Sequence, residues 1–152
     1  MTGSYSAPMD ALAFTTATDV FEITAPATCR IEVMQMNLGQ TTDLGDAQEE
    51  VLRIGLYRGA TAGSTGTALT EQPYVDSNDG AARGAIVANR GTASTGGTLI
   101  DIIAWNIRIP LEKIWIPELR PIMELSTVMT FRLLTAPTDS ITVSGSLIWR
   151  EM

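Results

Sequence analysis

Strict alternation of apolar residues with other residues between positions 97 and 150 constrains the fold of this chain more than any other feature. Every second residue is mostly apolar over Leu99–Ile109, over Met129–Leu133 and again over Ile141–Trp149. A period of two places the members of each series on one face of a β-strand. No segment carries a sustained apolar stripe with the period of 3.6 residues that an amphipathic helix needs. The sequence therefore predicts an all-β protein.

Turn signals separate the alternating segments and indicate eight or nine strands in one domain of 152 residues. A long connection rich in small residues, Asp76–Gly97, stands between the early and the late strands, as Greek-key and jelly-roll topologies require. We predict a jelly-roll or Greek-key β-sandwich over residues 12–152. Residues 1–11 are small and polar with Gly3 and Pro8, and they predict a flexible, extended N-terminal arm.

Several local features are specific enough to predict individual positions. The apolar parity changes from odd to even at Val33-Met34, which predicts a β-bulge there. Trp105 and Trp149 lie in phase with aliphatic neighbours, so both are expected in the core. Cys29, the single cysteine, is expected to be a buried thiol. Residues 81–88 are expected to form one or two helical turns.

The composition lacks the usual equipment for catalysis. The chain has no histidine, which removes the commonest general base and makes a Ser-His-Asp triad impossible. Asp101 and Glu124 are the only candidates for the paired carboxylates of a glycosidase. We expect Asp101 instead to pair with Arg108 or Arg132, or to face a subunit boundary. The sequence thus predicts a binding or structural protein that is not an enzyme.

Acidic residues cluster in the loop Gly39–Glu50, where Asp43 and Asp46 precede two glutamates. Carboxylates at this density can bind calcium, but their spacing does not match an EF-hand loop. We interpret this loop as solvated, and we interpret Asp76 and Asp79 as turn formers. No metal and no cofactor are predicted.

The charge balance restricts the class of partner. A net charge of −7 argues against a nucleic-acid-binding surface, which needs a basic stripe to displace counterions. No stretch approaches the roughly 18 apolar residues of a membrane span, and the N-terminus has no basic segment followed by an apolar run. We expect no nucleic-acid partner, no membrane partner, and synthesis in a cytoplasm.

Segments spread over residues 20–152 resemble small virion proteins of tailed bacteriophages, among them capsid decoration or cement proteins with a jelly-roll fold. The segments that carry the resemblance are FEITAP at 21–26, GDAQEE at 45–50, LRI at 52–54, YRG at 57–59, WNIR at 105–108, WIPE at 115–118, RP at 120–121 and AP at 136–137. The resemblance implies a homotrimer on the virion capsid surface that joins neighbouring capsomers, with the major capsid protein as its partner. It implies no catalytic residues.

Apolar residues at both parities around residues 99–105 favour self-association independently, because a strand buried on both faces needs a second cover. The expected contacts with partners lie in the N-terminal arm, the two long loops and an exposed tryptophan. Residue by residue, they are Tyr5, Asp43, Asp46, Arg83, Arg90 and Trp115. One alternative is a phage fibre or tail module that recognises a host receptor or carbohydrate. Another is a small cupin-type enzyme, which the absence of histidine disfavours.

Overall fold

The computed structural model describes residues 3–42 and 49–152, and the regular secondary structure of this part of the chain consists of β-strands and one short 3-10 turn, Pro117–Leu119. In chain order the strands are β1 (Ser4–Phe14), β2 (Asp19–Thr24), β3 (Ile31–Gln40), β4 (Val51–Arg58), β5 (Thr67–Ala68), β6 (Gln72–Pro73), β7 (Ala85–Ala88), β8 (Thr98–Asn106), β9 (Leu111–Ile114), β10 (Ile122–Met123), β11 (Val128–Leu133) and β12 (Ile141–Glu151). The all-β prediction is confirmed.

Two antiparallel sheets pack face to face as a β-sandwich. Sheet A has the order β10-β3-β12-β1-β6, and β9 pairs with the same side of β3 as β10 does. Sheet B has the order β5-β7-β2-β11-β4-β8. The core between the sheets is apolar and continuous, since the inward-facing residues of both sheets belong to one buried cluster.

The alternation in the sequence corresponds to the inward faces of the strands, except that Leu99 lies on the outer face before the bulge at Ile100 and Ile109 follows β8 and is exposed. Trp105 and Trp149 are both buried, as predicted, and Trp149 packs against Tyr5 with ring centroids 6.1 Å apart. Phe131 of sheet B contacts Phe21 edge-on at 6.5 Å. It also meets Trp115, which follows β9, at 6.1 Å. Aromatic contacts of this kind connect the centre of sheet B to an edge of sheet A.

The predicted bulge in β3 is confirmed by the strand register. Gln35 pairs with Ile148, while Val33 pairs with Trp149, so Met34 is the extra residue on β3. The extra residue moves the inward positions from odd to even numbers, so Val33 before it and Met36 after it are both buried.

The predicted flexible arm is wrong for the described residues of that segment. Residues 4–11 belong to β1, which lies between β12 and β6 in sheet A, and Tyr5, Ala7 and Met9 are part of the core. Inward apolar residues at odd positions give this segment a buried face, so it pairs with the C-terminal strand instead of extending into solvent. Deleting residues 1–11 would remove much of a core strand.

The connection from residue 59 to residue 97 is an insertion that closes one side of the sandwich. It contributes β6 to the edge of sheet A and contributes β5 and β7 to the edge of sheet B. The helical turns expected over residues 81–88 are wrong, because Ala85–Ala88 forms β7 and hydrogen-bonds to β2. At residue 76 the chain forms the expected turn, in which Asp76 accepts hydrogen bonds from the backbone of Asn78 and Asp79.

Candidate interaction surface

The side of the sandwich opposite the insertion is left open by the chain. There β8, a strand of nine residues, forms the edge of sheet B, and β9 and β10 form the edge of sheet A. On the closed side the edge strands β5 and β6 have only two residues each. A long edge strand presents unpaired backbone groups that can contact another chain, whereas very short edge strands avoid such contact. Among the strands that end the two sheets in residues 3–42 and 49–152, β8 is the longest, whereas on the closed side β6 covers only Tyr5 and Ser6 of β1.

Large aliphatic residues are concentrated on this open side. Seven of them, with 38–68% of their surface exposed, form what we call the apolar band: Leu99, Ile100, Ile102, Ile114, Ile116, Leu119 and Ile122. Scattered exposed aliphatic residues are normal, but a group along one edge indicates a contact surface.

One half of the apolar band lies on the outer face of sheet B. Ile102 pairs with Gly55, and Leu99 pairs with Tyr57, while the alternate residues of β4 point into the core. The side chains of Leu99, Tyr57 and Leu134 close over Gly55, where an added Cβ would lie 3.3 Å or less from each of them. This half of the apolar band is therefore continuous with the side chains of Tyr57 and Leu134 that cover Gly55 on β4.

The other half of the apolar band lies on the outer face of sheet A. Ile114 pairs with Gln35 and Ile122 pairs with Glu32, both at outward-facing positions of β3. Glu32 lies opposite Arg150, and their side chains form a 2.7 Å ion pair on that face. The apolar residues thus border a face that also carries this ion pair.

A cavity of about 370 Å³ separates the two halves at the open side. Ile100 and Leu119 line it together with Trp115 and Leu56, and the charged side chains around it are Arg58, Asp101, Lys113, Glu118 and Arg120. Because residues of β4, β8 and β9 all contribute, the cavity joins the edges of both sheets.

Asp101 and Lys113 form an ion pair across the cavity, with Nζ and Oδ2 3.5 Å apart. The prediction that Asp101 pairs with an arginine is therefore wrong, since its partner is the single lysine of the chain. The ammonium group of Lys113 also lies 5.6 Å from the centre of the Trp115 ring. An inward-pointing charge in an edge strand discourages the addition of a further strand.

Buried carboxylates of the sandwich hold the insertion in place. Glu22 accepts a 2.7 Å hydrogen bond from the backbone N–H of Gly63 and pairs with Arg90. Asp19 accepts hydrogen bonds from the backbone and the hydroxyl group of Ser94, at 2.6 and 2.7 Å. Both acids face outward from sheet B, yet both are buried because the insertion covers them. The insertion is therefore part of the rigid scaffold.

Glu151 at the end of β12 anchors the same insertion to sheet A. Its Oε1 accepts hydrogen bonds from the backbone N–H groups of Arg83 and Gly84, at 2.7 and 2.8 Å. Its Oε2 lies 3.7 Å from the Cys29 sulfur, which is buried as predicted. Burial raises the pKa of the Cys29 thiol, and the Glu151 carboxylate raises it further. The pKa of Tyr5 is raised by the same two causes in the same order.

The predicted contact residues do not form one surface. Tyr5 and Trp115 are buried, so the interpretation of Trp115 as an exposed anchor is wrong, because its ring packs inward against Phe131. Arg90 is engaged by Glu22 and by the carbonyl oxygen of Thr65. Arg83 is exposed, but it lies on the closed side of the sandwich. Asp43 and Asp46 lie outside the described residues.

Sequence reasoning missed most of the apolar band, although the sequence contains a signal for it. Ile114 and Ile116 flank Trp115, so burial of the tryptophan at a period of two requires that both isoleucines face the other way. Leu119 is exposed because it lies in the 3-10 turn, which has no buried residue, and Ile122 is exposed because it alternates with buried Met123 in β10.

In residues 3–42 and 49–152, no group of three or more cysteine, aspartate or glutamate side chains is arranged to hold a metal ion. The same residues contain no helix that is long and apolar enough to cross a membrane. Comparisons with protein-family models, with curated proteins and with solved structures each return no match.

Proposed function

We propose that this protein is a structural virion protein of a tailed bacteriophage, a homotrimer that binds the capsid lattice and stabilises it as a decoration or cement protein. The observation that carries the proposal is the apolar band on the open side of a rigid sandwich. A surface of this kind suits contact between protein subunits. The resemblance of the sequence segments described above supplies the phage context.

The pairing of the strands supports the jelly-roll form of the sandwich. β4 pairs with β8, β3 with β9, β2 with β11 and β1 with β12, so the pairs are nested one inside the next along the chain. The sheets accordingly contain the orders β1-β12-β3-β9 and β2-β11-β4-β8. Eight strands in two antiparallel sheets with nested pairing are the arrangement of a jelly roll, a fold common among viral capsid proteins.

A cement function requires a rigid ligand that binds the assembled lattice. A protein that binds only the assembled form stabilises it by mass action. A trimer adds to this effect, because its second and third contacts become intramolecular once the first is made. The anchoring of the insertion by Asp19, Glu22 and Glu151 supports such a role, since little loop entropy remains to be lost on binding.

The test compares phage particles that contain this protein with particles from which its gene is deleted. We expect the deleted particles to lose infectivity sooner on heating or at low salt, and we expect added purified protein to restore survival. Electron microscopy of labelled particles should locate the protein on the head. Equal survival of both particles, or labelling at the tail tip alone, would refute the cement function.

The cavity favours a second candidate, a fibre or tail module that recognises a host carbohydrate. Its lining combines an indole ring with charged groups, which is a combination that sugar-binding sites use. Binding of the isolated protein to host cells or to a glycan array, abolished by Asp101→Ala, would support this candidate over the first.

A further inference from the structure

We infer that neighbouring copies of this chain meet head to tail through the apolar band. In this arrangement Leu99 and Ile102, on the sheet-B half, pack against Ile114 and Ile122, on the sheet-A half of the next copy. The inference rests on the proposed homotrimer and assigns the surface and the symmetry of its contacts.

The exposed area of the band fits a second copy. With roughly 200 Å² for a fully exposed leucine or isoleucine, seven side chains at 38–68% exposure present roughly 700 Å². In a head-to-tail contact, one half from each copy contributes, so each contact buries about the same apolar area. Because interfaces are roughly 57% apolar, the whole contact would bury roughly 1,200 Å², at the lower end of the range for stable interfaces.

The placement of the two halves allows a head-to-tail contact that covers both of them and closes into the ring a homotrimer requires. Ile102 lies on the outer face of sheet B, and Ile114 lies on the outer face of sheet A. A two-fold axis could pair either like halves or unlike halves, but the contact then closes at two copies, which does not give the proposed homotrimer. A rotation that places the sheet-B half of each copy against the sheet-A half of the next covers both halves in every copy, and such a contact closes into a ring.

The free edge of β8 is built for side-chain contact and against strand addition. Leu56 pairs with Asp101 and Tyr57 pairs with Leu99, so Ile100 is an extra, bulged residue in the middle of the edge. Asp101 beside it points inward to Lys113. Bulges and inward charges both prevent an edge from pairing with another strand. A continuous sheet formed by β8 strands of two copies is therefore disfavoured.

Cysteine cross-linking of the full chain tests the arrangement. In a Cys29→Ala background, three variants are compared: Ile102→Cys, Ile114→Cys and the double variant, each treated with a short bis-maleimide. We expect the double variant to give covalent dimers and trimers, and we expect each single variant to stay as single chains. An equimolar mixture of the two single variants should give covalent dimers. Cross-linking of Ile102→Cys alone, or a double variant that gives covalent dimers but no trimers, would indicate a two-fold contact and overturn the inference.

A charge substitution provides the second measurement. Ile102→Glu should lower the mass measured by light scattering from about three times 16.3 kDa to 16.3 kDa, with an unchanged circular dichroism spectrum. Val75→Glu, at a more exposed aliphatic residue in the insertion, is the matched control and should leave the mass unchanged. If the Ile102→Glu variant remains a trimer and the double cysteine variant does not cross-link, the assigned surface is wrong although the homotrimer itself is retained. A monomeric wild-type protein would overturn both.

Discussion

Replacing Glu151 tests whether a single buried carboxylate fixes the insertion to the sandwich. Glu151 is 1% exposed, and one oxygen, Oε1, accepts both backbone hydrogen bonds from Arg83 and Gly84. Glu151→Ala removes the acceptor for both N–H groups. The Gly84 bond is buried, so its donor would carry the full penalty of about 1–3 kcal/mol for an unsatisfied buried group. The Arg83 bond is only partly buried, and water can replace part of it. We expect a total loss of about 2–4 kcal/mol in the free energy of unfolding.

Glu151→Gln separates the hydrogen bonds from the charge. The amide oxygen of glutamine can occupy the position of Oε1 and keep both backbone bonds, while its NH2 group faces the Cys29 sulfur in place of Oε2. We expect this variant to lose only the charge-assisted part of each bond, about 1 kcal/mol in total. Asp139→Ala, at an exposed carboxylate, is the control and should change the stability by less than about 0.5 kcal/mol.

The assay is urea unfolding at one fixed protein concentration, because self-association would make stability concentration-dependent. Hydrogen exchange gives a local readout, and the amides of Arg83 and Gly84 should lose protection in Glu151→Ala while the central strands keep theirs. A stability of Glu151→Ala within 0.5 kcal/mol of wild type would refute the argument. So would a Glu151→Gln variant that is as unstable as the alanine variant.

Three further predictions follow from the core and its titratable groups. Gly145→Ala should cost about 3 kcal/mol or more, since an added Cβ would lie 2.0 Å from a carbonyl oxygen of β3, whereas Gly39→Ala has space and should be nearly neutral in thermal unfolding. Trp149→Ala should cost about 3–5 kcal/mol, because the ring is fully buried, and a melting temperature within a degree of wild type would contradict its place in the core. The pKa values of Cys29 and Tyr5 are both raised in the folded protein, so their contribution to stability is complete below their unfolded values of 9.0 and 10.0 and is lost as the pH rises through the folded values. Unfolding measured at increasing pH should therefore show falling stability in the alkaline range, and Cys29→Ala should reduce that fall.

The strands of the second half were predictable because their information is local. Alternation over β11, over β12 and over β8 after its bulge at Ile100 fixes both the strand and its inward face, and the bulge at Met34 was visible as a change of parity. β1 carries the same alternation at Tyr5, Ala7 and Met9. The small residues around them and Pro8 weaken the pattern as evidence for a strand. The main partner of β1 is β12, which lies more than 120 residues away, so nothing near β1 in the sequence indicates that it is paired.

The anchoring carboxylates were not predictable for a related reason. Asp19 and Glu22 occupy outward positions of β2, where an acidic residue normally indicates solvent. Their partners, Ser94 and Gly63, donate mainly through backbone N–H groups, and any residue type except proline has such a group. A sequence pattern therefore cannot identify the acceptor and donor as a pair. Residues 76–97 of the insertion were expected to be a contact loop, and these acids are the reason that the insertion is instead fixed to the sandwich.

The two sides of the sandwich solve the same physical problem in different ways. A two-sheet sandwich has four edges, and each exposes backbone groups unless something shortens, covers or distorts it. On one side the insertion supplies β5, β6 and β7 and is held by buried acids, so the chain covers the edge of sheet B and the start of β1 in sheet A. On the other side the chain only blocks strand addition, with the bulge at Ile100 and the inward Asp101, and it leaves the apolar band exposed. An isolated chain gains no stability from the apolar band, because aliphatic side chains stabilise a fold only where they are removed from water. The apolar band does benefit a chain whose neighbours contact that side through side chains, which is why its location supports assembly as the function of the fold.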